Sequence, residues 1–142
     1  MILLRTFGLG RLPSEAGWLI PHPSRVIECE HLSCWVTYRD FRAPGRACNW
    51  KRQWFAGSLA LSEDRLIAFQ WRSRLFNTGV DDPRFSGLAI TAEDQTLIVS
   101  LNASLYRDDW SGFLEYQFRT PEADRIVYLL RQLRRRSSLA SF

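Results

Sequence analysis

Hydrophobic and polar positions along the chain alternate mostly with period two, and the period lengthens only near the end. The cleanest case is Leu114, Tyr116 and Phe118 alternating with Glu115, Gln117 and Arg119, the pattern of a strand with one wet face. Segments 27–38, 49–61, 65–71, 85–91, 96–101 and 113–119 are rich in Val, Ile, Thr and aromatics and are predicted strands. Ala43-Pro44-Gly45-Arg46, Ser62-Glu63-Asp64 and Glu93-Asp94-Gln95 supply turns between them. Gly57 interrupts the second strand and marks a bulge or bend. Asn77-Thr78-Gly79 and Asp81-Asp82-Pro83 predict a loop of about a dozen residues, and 102–112 a second long connection.

One helix is signalled, over 121–135. Thr120 is its N-cap, Pro121 takes the first helical position, and Glu122 suits the positive end of the dipole. Ala123, Ile126, Val127, Leu130 and Leu133 recur at helical spacing and give one apolar stripe. Residues 1–25 hold Gly8, Gly10, Pro13, Gly17, Pro21 and Pro23, the composition of an irregular arm. The expected organisation is an arm over 1–25, a single domain over 26–136 and a tail over 137–142.

Gly57-Ser58-Leu59-Ala60-Leu61-Ser62-Glu63-Asp64-Arg65-Leu66-Ile67 resembles the G-x-L-x-L-T-x-x-R-L-I hairpin of bacterial pleckstrin-homology-like (PH-like) and GRAM-like domains. Thr120-Pro121-Glu122-Ala123 is similar to the start of their closing helix. The resemblance spans roughly residues 26–135. It implies a mainly β fold: a PH-like bent antiparallel β-barrel of about seven strands capped by a C-terminal α-helix. It also implies that the turn between the first two strands presents cations to phosphate groups. The candidates for anion or partner binding are Arg39, Arg42, Arg46, Lys51 and Arg52.

Composition narrows the classes. With 46% hydrophobic, 24% charged and 13% aromatic residues, the chain is globular rather than disordered. The net charge of +4 is concentrated: Arg131, Arg134, Arg135 and Arg136 account for it, and the other basic residues balance the fifteen acidic ones. The three cysteines, an odd number, do not make an export framework of disulfides. Met1-Ile2-Leu3-Leu4 ahead of Arg5 is too short for a signal-peptide core, so a cytoplasmic location is expected.

Enzymatic chemistry finds little to stand on. Cys29, His31, Cys34 and Cys48 contain zinc-ligand atoms, but on a regular strand Cys29 and His31 would share one face while Cys34 points to the other. Buried thiols are the expected outcome. The Asp81-Asp82 and Asp108-Asp109 pairs read as turn residues, since adjacent carboxylates on an extended chain diverge rather than converge on one reacting atom. No nucleophile elbow or phosphate loop occurs. Trp50, Arg52 and Trp54 would share a face, on which bases could stack. Packing in core and rim is the expected use of these Trp, and nucleic acid is not the expected partner.

The sequence therefore predicts a non-catalytic binding module with no cofactor and no metal, contacting a protein partner or an anionic membrane headgroup. Self-association is left open. A small metal-dependent protein or enzyme, built on the cysteines or the Asp pairs, is one alternative. A binder of single-stranded nucleic acid is the other.

Overall fold

Alternation and turn chemistry build seven antiparallel strands: β1 (Arg25–Ala43), β2 (Arg46–Ser62), β3 (Arg65–Gln70), β4 (Ser73–Gly79), β5 (Ala89–Glu93), β6 (Thr96–Asn102) and β7 (Ser111–Arg119). Among the described residues one α-helix, α1 (Ala123–Ala140), follows. The computed structural model describes residues 12–13, 25–80, 82–105 and 107–140, excepting the side chains of 25, 84, 86 and 136–140. The arm expected over 1–25 thus lies almost wholly outside the described residues. The strands form one sheet in the order β4-β3-β2-β1-β7-β6-β5, curled into a half-barrel.

The concave side holds the core. Phe55, Phe76, Tyr116 and Phe118 meet there at ring-centroid separations of 6.0–6.4 Å, mostly edge to face. Helix α1 lays its stripe into this core against β5 and β6, burying Ala123, Ile126, Val127 and Leu130, with Leu133 half-buried at the margin. Thr120 caps it as expected: its Oγ1 accepts from the Glu122 N–H at 3.1 Å and its carbonyl from the Ala123 N–H at 3.2 Å. The helix runs beyond the expected 135 to Ala140, so residues 137–140 continue it rather than forming a tail.

Three expectations are corrected. The segment read as a loop around Asn77-Thr78-Gly79 is strand β4, which buries Phe76 and Thr78 and pairs with β3. Phe85 lies in a 3-10 turn, Pro83–Gly87, so β5 starts at Ala89 rather than at 85. The first hairpin is longer than expected, because only Pro44-Gly45 turns the chain and the ladder reaches Ala43↔Arg46.

Of the three register slips in β1, two decide which side chains face inward along its middle. Between Cys29 and Leu32 the register with β2 slips by one residue, with His31 at φ +58°. Inward positions pass from Ile27 and Cys29 to Leu32, Cys34 and Val36. Near Asp40 (φ +49°) the ladder with β7 slips again, and burial passes to Phe41. Gly112 (φ +94°) lies beside that slip, where a Cβ would strike the Asp40 carbonyl oxygen. No helix among the described residues is long and apolar enough to cross a membrane.

Candidate functional site

The β1 bulge settles the cysteines first. Cys29 and Cys34 both face the core rather than opposite sides, because the slip at Glu30–His31 inverts the alternation. Cys29 Sγ lies 3.5 Å from Thr120 Oγ1, and Cys34 Sγ is 3.6 Å from the Leu32 carbonyl oxygen it donates to. Burial pushes both thiols up from their ordinary ionisation range. Cys48 is half-buried and free. Among the described residues no three His, Cys, Asp or Glu side chains group as a metal site. Asp81 lies outside the described residues. The Asp82 carbonyl accepts from the Phe85 N–H in the 3-10 turn, while Asp108 and Asp109 are exposed in the turn before β7.

The five cations of the first hairpin sit on rungs of the ladder, not in a loop, and they divide. Arg42 folds back onto the hairpin, donating to the carbonyls of Phe41 (2.8 Å) and Cys48 (3.4 Å) and to Asn49 Oδ1 (3.2 Å). The Arg46 guanidinium covers the rings of Tyr38 and Phe41 at 5.9 and 5.8 Å. Lys51 pairs with Tyr38, on the side of the sheet that leads into the core. Arg39 and Arg52 stand on the opposite, convex side, paired with Trp50 and Thr37. The cations therefore do not converge on one point.

What gathers on the convex side is aromatic. Register across β2, β1 and β7 places Trp50, Arg39 and Phe113 in one row and Trp54, Trp35 and Gln117 in another, with Arg52, Thr37 and Glu115 between them. Trp50 is 63% exposed, Phe113 58%, Trp54 42% and Trp35 37%. The Arg52 guanidinium lies 4.5 Å from the centroid of the Trp35 ring. Trp54 Nε1 donates to Ser33 Oγ at 2.8 Å, which pins that indole across the two strands. Thr37 is buried beneath this layer.

Farther along the same face, Ala60, Ile67 and Phe69 are fully buried, with Leu12 packed on them and the Leu12 N–H donating to Glu30 Oε2 at 2.6 Å. The face is covered at that end and open toward the hairpin. Period two put Trp50, Arg52 and Trp54 on one face; it could not say which face would be buried, and of the expected packing in core and rim the core part is corrected here, since both Trp are exposed. Phe113 was not singled out, although the alternation of strand 113–119 already places it on the wet face with Glu115 and Gln117. Fold and site define a curled β half-barrel with a C-terminal helix and an open aromatic–cationic face. No family model matches the chain, and no curated protein matches it in sequence.

Proposed function

We infer that the chain is a non-catalytic binding module of the PH-like or GRAM-like kind, taking an anionic partner on the convex face of β2, β1 and β7. The observation that carries this reading is the run of four exposed aromatic rings, Trp35, Trp50, Trp54 and Phe113, with Arg39 and Arg52 among them. Large aromatic rings grouped and exposed on one face mark an interaction surface more often than chance. Trp and Arg are also the side chains that dominate binding energy at interfaces.

The PH-like part of the reading is supported by the Gly57–Ile67 hairpin sequence, the Thr120–Ala123 cap, and their place in a seven-stranded curled sheet followed by a helix. A binding rather than catalytic role is supported by core-facing thiols of raised pKa and by the turn positions of Asp82, Asp108 and Asp109. Three free cysteines suit a reducing, cytoplasmic setting.

Retention on immobilised heparin tests the site. The Arg39→Ala/Arg52→Ala protein is expected to elute at clearly lower salt than the wild type, and Arg134→Ala/Arg135→Ala near the wild-type position. The reverse order would locate anion binding at the helix end and refute the reading.

A further inference from the structure

The convex face has a chemistry more specific than attraction to anions, and it rests on the reading just given that this face is the binding surface. We propose that its ligand is single-stranded nucleic acid, lying across β2, β1 and β7 with bases stacked on the aromatic rows and phosphates met by Arg39 and Arg52, the two hairpin cations on this face.

The first support is how the rings are presented. Trp54 has its only hydrogen-bond donor satisfied by Ser33, so the ring face is what it offers to a ligand. At a membrane surface an indole serves through its amphipathic character, apolar body in the acyl boundary and N–H toward headgroups. A ring whose N–H is used internally suits stacking instead. Every base has a π face, and stacking on an aromatic platform needs no donor from the protein.

The second support is Arg52 on Trp35. A guanidinium 4.5 Å from the ring centroid extends the aromatic surface with a planar cation. Unstacked bases settle on guanidinium planes as well as on rings. The two aromatic rows lie four residues apart along β2, about 13 Å by strand geometry, with Arg52, Thr37 and Glu115 between them. That alternation of ring, cation and ring along a sheet is the layout of a single-strand platform.

Shape is the third. The sheet curls around the core, so this face bows outward. A flat bilayer would touch only its crest, and a second copy would bring one convex surface against another and bury little area. A flexible strand can follow the curvature. Duplex is disfavoured because its bases keep their π faces stacked on one another.

The experiment is fluorescence anisotropy of labelled twelve-nucleotide oligo(dT) and oligo(rU), run beside vesicles of phosphatidylserine and phosphatidylcholine. Oligonucleotides are expected to bind at 50 mM salt and to weaken at 200 mM, with a log–log slope of about −1.4, as two phosphate contacts give. Trp35→Ala/Trp54→Ala should lose roughly tenfold or more in affinity, whereas Trp35→Phe/Trp54→Phe, which keeps the ring faces, should lose much less. Arg134→Ala/Arg135→Ala should bind as the wild type does. Melting curves are expected to stay close to wild type for the Phe pair, which removes misfolding as an explanation.

Absence of oligonucleotide binding at low salt would overturn the proposal. Binding indifferent to both Trp pairs would overturn it equally. Vesicle binding that depends on Trp35 and Trp54, with no oligonucleotide binding, would overturn the ligand class while leaving the convex face as the binding surface. Indifference of both ligands to the Trp and Arg39/Arg52 variants would remove the surface itself.

Discussion

Gly57 stands where β1, β2 and β3 crowd together, opposite Leu32 at the end of the β1 bulge and opposite Gln70. A Cβ there would meet Cys34 Sγ and the Phe55 ring at 2.9 Å and the Phe69 carbonyl oxygen at 3.0 Å. Gly57→Ala is therefore expected to cost about 1–3 kcal/mol by overpacking, read from denaturant midpoints. An unchanged midpoint would mean that the bulge has room to relax. The sequence marked Gly57 as an irregular point, but the bulge belongs to the facing strand, at Glu30–His31, where no Gly or Pro announces it. The burial of Cys29 and Cys34 was expected, but for that reason their facing the same side was not legible.

The same burial makes the thiol inert. Thiolate, not thiol, is the nucleophile, and desolvation holds Cys34 and Cys29 protonated above the ordinary cysteine range. Iodoacetamide at pH 8 is expected to modify the half-buried Cys48 first and Cys34 only on unfolding, as peptide mass mapping would show. The linkage has a definite sign. The unfolded chain ionises these thiols above about pH 8.5 and the folded chain does not, so their contribution is complete below that pH and declines above it. Cys34→Ala is expected to flatten that alkaline decline, and an equally steep decline would contradict the assignment.

Among the elements, α1 was the most legible. Its cap and apolar stripe are local signals with structural counterparts at Thr120 and at Ala123, Ile126, Val127 and Leu130, while the helix begins at Ala123 and Pro121 lies in the turn just ahead of it. Leu130→Ala is expected to cost roughly 2–5 kcal/mol, since its side chain is packed in the main core. A loss below about 0.5 kcal/mol would mean that the helix is detached from the sheet. Thr120→Ala removes the Oγ1 acceptor of the Glu122 N–H and a neighbour of Cys29 Sγ, and is expected to cost about 1 kcal/mol.

Strand β4 was missed for an opposite reason. Asn77-Thr78-Gly79 has turn composition, yet pairing with β3 and burial of Phe76 and Thr78 hold it extended. Tertiary pairing outweighed local propensity there. In the first hairpin the basic residues were legible as a cluster. Their division between the two sides of the sheet was not, because it depends on the ladder running unbroken to the two-residue turn.

The molecule as a whole sets the two faces of one curled sheet against each other. The concave face is closed by α1, and the convex face is covered near Phe69 and open toward Trp50. The sequence could group the Trp residues by parity but could not show which face the helix takes. The most direct test is ultraviolet cross-linking to a 5-iodouridine oligonucleotide, with the modified peptides mapped by mass spectrometry. Cross-links are predicted on Trp35, Trp50, Trp54 and Phe113, in peptides from β1, β2 and β7. Cross-links confined to the helix end around Arg131–Arg135, or none at all, would contradict it.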